Sequence, residues 1–157
     1  MRICQPLLLA ATMVVAVAAC KKEETTPGPS DDDAAAVRAA EAAGRTLEER
    51  MAAGKRIYAA HCSACHLAEG QGLAGVFPPV AESSYLAENG ADAAVSVILN
   101  GLSGPITVNG IDYNGAMPNL SYLSDSEIAD VVTFLMNSWN NPGGEVNSEQ
   151  VAAARGG

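Results

Sequence analysis

Large aromatic side chains are scarce in this chain, with two phenylalanines and one tryptophan among 157 residues. Such side chains bury the most area each, so a folded unit of this length has few anchors of its own for a core. Positive charge is scarce too: nine Lys and Arg face 18 Asp and Glu, a formal net charge of −9. That balance excludes nucleic acid, which needs clustered cations against its phosphates. No apolar run reaches the ~20 residues that span a bilayer. Histidines are limited to His61 and His66, and cysteines to Cys4, Cys20, Cys62 and Cys65.

The mostly apolar stretch from Leu7 to Ala19, preceded by Arg2, has the form of a cleaved export signal. It ends Val17-Ala18-Ala19-Cys20, which resembles the lipobox of bacterial lipoproteins. On that resemblance, residues 1–19 are a signal peptide and Cys20 is the lipidated first residue of the mature chain. Ordinary cleavage after Ala16-Val17-Ala18 is the alternative. Residues 20–45 follow as a tether, charged and Pro-broken at first, then acidic and Ala-rich. It has too little apolar surface to offset its ordering entropy. Asp31-Asp32-Asp33 suits a helix N-terminus, but the alanines behind it offer little to pack. The expected location is the cell envelope, lipid-anchored and facing the periplasm; Lys21 resembles the sorting choice for the outer membrane.

Residues 46–157 are expected to form one domain. Its centre is His61-Cys62-Ser63-Ala64-Cys65-His66. In a helical turn, positions i, i+3 and i+4 share a face, so Cys62, Cys65 and His66 point the same way. Two sulfurs and an imidazole so placed suit a haem, bound by two thioethers and ligated at its iron by the histidine. A thioredoxin-like dithiol, a zinc half-site and a plain disulfide are the competing readings. The dithiol should follow a strand, whereas Ala52 to Ala60 reads as helix. Structural zinc wants four Cys or His ligands, and His61 and Cys20 are poorly placed to complete a set. His61 itself reads as a solvated side chain. With Cys4 lost, Cys20 lipidated and Cys62 and Cys65 bound to haem, no disulfide is expected.

Thr46-Leu47-Glu48-Glu49 and Ser124-Asp125-Ser126-Glu127 are capping boxes. The first opens a helix with Leu47, Met51, Gly54 and Tyr58 on one face; the second opens a helix reaching about Trp139, with Ile128, Val131, Val132, Phe134, Leu135 and Met136 apolar. Between them, Leu67 to Val80 is a Gly- and Pro-rich loop and Ser83 to Glu88 a short helical turn. Asn89 is expected to cap a helix over residues 91–100. Ile106 to Tyr113 reads as a hairpin around Asn109-Gly110. Ser148 is expected to cap a last short helix to Arg155. Met51 and Met136 fall on packed helix faces, which leaves Met117 as the candidate sixth iron ligand. Pro118 holds Met117 extended, so its thioether is presented from a loop.

These residues resemble the small monohaem cytochromes c of the His/Met type. The resemblance covers about Ala52 to Asn140 and rests on Gly54-x-x-x-Tyr58-x-x-x-Cys62-x-x-Cys65-His66, the Met117-Pro118 loop and the final helix. It implies an all-α cytochrome c fold whose N- and C-terminal helices cross around one covalent haem c, with the small β-hairpin before the Met loop. It also implies that a proline carbonyl, Pro78 first and Pro79 second, accepts the Nδ1 hydrogen bond of His66. In a domain so poor in aromatics, the macrocycle then supplies much of the core. A narrower likeness runs through Phe77-Pro78-Pro79, Asn100-Gly101, Tyr113-Asn114-Gly115 and Asn137-Ser138-Trp139. It is to cytochrome c domains attached to copper nitrite reductases and to periplasmic dehydrogenases.

The implied function is one-electron transfer between redox proteins of the envelope, with no catalytic residue. The alternative is a haem enzyme or gas sensor in which the methionine is displaced. From Gly54 onward, Lys55, Arg56 and Arg155 face ten acidic residues, a formal net of −7. The donor and acceptor, membrane-associated or periplasmic, should therefore be basic or apolar around their own redox centres.

Overall fold

The computed structural model describes residues 44–156. The expected signal peptide, Cys20 and nearly all of the tether lie outside the described residues. Five helices are present among the described residues: α1 (Leu47–His61), α2 (Ser63–His66), α3 (Ser84–Asn100), α4 (Asp125–Met136) and α5 (Ser148–Arg155). Between α3 and α4 run β1 (Leu102–Ser103), β2 (Ile106–Val108), β3 (Ile111–Tyr113) and β4 (Ala116–Met117).

Both capping boxes form. The Thr46 hydroxyl accepts the Glu49 N–H at 3.2 Å, and the Glu49 carboxylate accepts the Thr46 N–H at 2.8 Å. Ser124 and Glu127 exchange the same two bonds ahead of α4. Each box satisfies two of the donors that a helix start leaves open.

Helices α1 and α4 meet at Gly54. A Cβ added there would stand 2.6 Å from Cβ of Phe134 and collide with the Asp130 carbonyl. Tyr58, one turn further along α1, is buried with Ile128, Val131, Val132, Leu135 and Met136 of α4 and with Val95, Ile98 and Leu99 of α3. Met51 packs against this core from its margin, while Leu47 at the start of the same stripe is exposed. Three aromatics form a triangle: Tyr58 to Phe134 at 5.7 Å, Tyr58 to Trp139 and Phe134 to Trp139 at 5.1 Å between ring centroids.

Several expectations need correction. The all-α class must be enlarged to helices with small antiparallel strands. The expected hairpin is β2–β3, with Thr107 opposite Asp112 and left-handed Asn109 (φ 52°) and Gly110 (φ 77°) at its turn. A second pair, β1–β4, sets Leu102 opposite Met117. Helix α4 ends at Met136 and not at Trp139, because Trp139 takes a left-handed φ of 50° and its ring turns in against Tyr58 and Phe134. Asn89 does not cap the following helix: its side-chain amide donates to the Tyr85 carbonyl at 2.9 Å. Gly90, at φ 74° and ψ −171°, then kinks α3. The cap of α5 is Asn147 rather than Ser148, paired with Gln150 in a third capping box.

A buried ion network also ties the helices together. Arg50 of α1 reaches Asp130 of α4 at 3.3 Å, Thr133 at 3.0 Å, Glu145 at 3.0 Å and the Val146 carbonyl. Arg45 adds a bidentate pair to Asp130 at 2.6 and 3.1 Å. A charge this far from water is tolerable only when so paired and hydrogen-bonded.

Candidate functional site

Cys62 closes α1 by donating its N–H to the Tyr58 carbonyl at 2.9 Å and accepts the His66 N–H at 2.9 Å as α2 begins. The single turn of α2 keeps Cys62, Cys65 and His66 on the lining of one cavity. Leu67 leaves the turn at φ 62°, and the Tyr58 hydroxyl fixes this exit by donating to the Leu67 carbonyl at 2.6 Å. Burial raises the Tyr58 hydroxyl above the ordinary phenol range, so it stays a donor.

The His66 ring is oriented by the backbone. Its Nδ1 lies 2.9 Å from the Pro78 carbonyl oxygen. A carbonyl can only accept, so Nδ1 carries the proton and Nε2 keeps its lone pair free. Burial lowers the His66 pKa, while the bond to Pro78 opposes that shift. The imidazole is thus held in its neutral, ligating form. Burial pushes the Cys62 thiol up to about 11, with Cys65 adding to the effect.

Gly72 is the residue of this loop that the sequence pattern does not single out among its glycines. Its N–H donates to the His66 carbonyl at 2.9 Å, and its φ is +62°. A Cβ at Gly72 would stand 2.7 Å from the Pro78 carbonyl oxygen and also press on the Phe77 carbonyl. The close return of the chain onto His66 therefore depends on the missing side chain. Beyond it, Leu73 and Phe77 exchange backbone bonds at 2.8 Å in both directions, leaving Leu73 exposed and Val76 and Phe77 exposed along the cavity lining.

Met117 reaches the same cavity from β4. Its strand is paired with β1, and Gly101 lets the two backbones close up: a Cβ at Gly101 would stand 2.6 Å from the Met117 carbonyl oxygen. Leu120 then donates its N–H to the Ile98 carbonyl at 2.8 Å, pinning the loop to the end of α3. Met117 is half-buried against the core. Met136 is buried within that core and Met51 packs at its edge, and neither lines the cavity. His61 is exposed, with its Nδ1 3.2 Å from the Tyr122 hydroxyl.

The cavity measures about 200 Å³ and its wall is apolar, built from Leu86, Ile98, Leu102, Val108 and Leu135 among others. Among the described residues no three Cys, His, Asp or Glu side chains converge to hold a bare metal ion. The donor set instead fits a haem: two adjacent sulfurs, a neutral imidazole and a thioether around an apolar slot.

Fold and cavity define a small helical haem-binding domain. The chain belongs to the cytochrome c family, whose model, described as cytochrome c, matches residues 51–139. It is 42% identical to cytochrome c-552 of Thermus thermophilus over 91 residues, covering 56% of this chain and 69% of that protein. It is 33% identical over 105 residues to the cytochrome c subunit of a quinone alcohol dehydrogenase from Gluconobacter oxydans, covering 66% of this chain and 22% of the subunit. The cytochrome c subunit of gluconate 2-dehydrogenase from Pantoea cypripedii is 30% identical over 105 residues, covering 65% of this chain and 24% of that subunit. Membership carries one covalently attached c-type haem and an electron-carrier role.

Proposed function

We propose that this chain is a one-electron relay of the bacterial cell envelope, with Cys62 and Cys65 as thioether attachments and His66 and Met117 as axial ligands. The observation that carries the reading is that His66 and Met117 line one cavity, while Met51 and Met136 do not. The haem, when bound, supplies a reversible one-electron couple at its iron. The chain's residues do the rest. Pro78 holds the imidazole with Nε2 turned free and strengthens it as a donor. The β1–β4 pair holds Met117 in place, so that the two residues that would ligate the iron are both anchored in the fold. Leu86, Ile98 and Leu135 keep water from the cavity wall, which favours the state of lower net charge.

The close approach of α1 and α4 at Gly54 supports the crossing of terminal helices that the family resemblance implies. We assign no catalytic residue. With residues 1–19 as signal peptide, 20–45 as tether, 46–157 as domain and lipid on Cys20, the relay would sit on a membrane facing the periplasm. The cytochrome subunits of alcohol and gluconate dehydrogenases among its relatives support an oxidoreductase as donor or acceptor. Because this chain carries a formal charge of −7 from Gly54 onward, the partner's contact surface should be basic or apolar. A visible spectrum of the reduced protein with and without carbon monoxide tests the reading. An unchanged spectrum is expected; ready binding would instead mark a gas- or peroxide-reactive haem protein.

A further inference from the structure

The C-terminal helix α5 lies beyond the residues that the family model matches, which end at 139. It is nevertheless built firmly into this fold, with Val146 and Val151 fully buried and Asn147 and Gln150 forming its capping box. Its last residue, Arg155, spends its guanidinium on the far side of the Met117 segment. Nη1 donates to the Ser121 carbonyl at 2.7 Å, Nη2 to the Leu123 carbonyl at 2.8 Å and Nε to the Asp125 carboxylate at 2.9 Å.

Residues 118–124, between β4 and α4, contain no helix or strand. Met117 is held to Leu102 by strand pairing, Leu120 to Ile98 by a backbone bond, Tyr122 to the exposed His61 at 3.2 Å, and, last of these tethers, Ser121 and Leu123 to Arg155. The Arg155 tether is the one supplied from outside the family's span. A planar guanidinium fixes two carbonyls relative to each other, which an ammonium does not. Charge-assisted bonds of this kind are also stronger than neutral ones.

We propose that Arg155 is a positioning residue for Met117, and that α5 is a brace that keeps the sixth-ligand loop closed. The proposal rests on the reading of Met117 as iron ligand. A neutral thioether stays in place only as well as its loop does, and the free energy of local opening sets the fraction of time it is away. Val146 and Val151 root the brace in the core, and Arg155 transmits that rigidity across to the loop.

The rate at which cyanide enters the ferric holoprotein, with the sulfur-to-iron charge-transfer absorption, reports that open fraction. Arg155→Gln should speed cyanide entry about tenfold, equivalent to ~1.4 kcal/mol, and weaken the absorption. Arg155→Lys should fall between this variant and the parent. Asp125→Asn, which leaves both carbonyl bonds intact, should stay within about twofold of the parent. If Arg155→Gln lowers thermal stability yet leaves cyanide entry and absorption unchanged, α5 is merely structural and the proposal falls. Equal acceleration in Asp125→Asn would overturn the carbonyl clamp in favour of an ion pair at the start of α4. Met117→Ala separates the two readings. If it takes cyanide rapidly while Arg155→Gln does not, the brace alone is wrong; if it matches the parent, the ligand reading fails and the brace with it.

Discussion

Gly72 and Pro78 are coupled: the Pro78 carbonyl reaches within 2.9 Å of Nδ1 of His66 because residue 72 has no side chain to hold it away. Gly72→Ala meets two obstacles, a φ of +62° and a carbonyl oxygen 2.7 Å from the new Cβ. The loop must shift, and the Nδ1 bond must lengthen. A less polarised imidazole is a weaker donor to ferric iron. The midpoint potential should therefore rise by tens of millivolts, within about the 59 mV that marks a tenfold change for one electron. Redox titration of the two proteins checks this; an unchanged or lowered potential would contradict the coupling.

Met117 carries the electron-transfer assignment. Exchange for histidine should keep the iron six-coordinate and lower the potential by more than about 59 mV, because an imidazole favours ferric iron more than a soft thioether does. Exchange for alanine should let the reduced protein bind carbon monoxide. Met51→Leu and Met136→Leu should cost less than about 1.5 kcal/mol and leave the potential near its parent value. Should either control open the iron while Met117→Ala does not, the sulfur has been misassigned.

Removing Arg50 should be strongly destabilising, because its charge is buried between α1 and α4. Arg50→Ala removes a charged donor from Thr133 and from the Val146 carbonyl, which keep their bond to each other at 3.4 Å, and takes one cation from Asp130. Breaking a buried pair from one side costs about 3–5 kcal/mol, with Arg45 retaining part of the compensation for Asp130. Denaturant unfolding of the holoprotein should show a loss near the lower end of that range. A loss below about 1 kcal/mol, the scale of an exposed pair, would mean that the network contributes little.

Cys20→Ser should free the protein from membranes with its spectrum unchanged. Acyl chains bind with about 0.8 kcal/mol per buried CH₂, whereas no helix among the described residues is long and apolar enough to cross a bilayer. Sedimentation of the variant with salt-washed membranes would rule out the lipid anchor.

The parts of the site that could be read in advance are those where chemistry imposes a spacing. Two thioethers and an imidazole must follow one helical turn, so Cys62, Cys65 and His66 announce themselves. The paired caps and the Asn109-Gly110 turn are local rules of the same kind. What stayed hidden depends on residues far apart in the chain. Strands β1 and β4 are two residues each, too short to show a period. Trp139 continues the apolar pattern of α4 but is drawn out of the helix by Tyr58 and Phe134. Gly72 and Gly75 look alike in a glycine-rich loop; a Cβ at Gly72 would crowd Pro78, whereas one at Gly75 would meet nothing within 4 Å. Arg50 and Asp130 are 80 residues apart, and neither carries a local mark of burial.

The pairing of β4 with β1 is made by main chain, and Gly101 is where the two backbones close. The backbone at position 117 is thereby placed by main-chain bonds, to which the side chain adds its packing against the core. As the proposed ligand position, it would be a socket into which a different donor atom could be fitted without disturbing the β1–β4 pair. On the proposed reading of Met117 as iron ligand, redox potential would then be adjustable at one codon with the backbone scaffold unchanged.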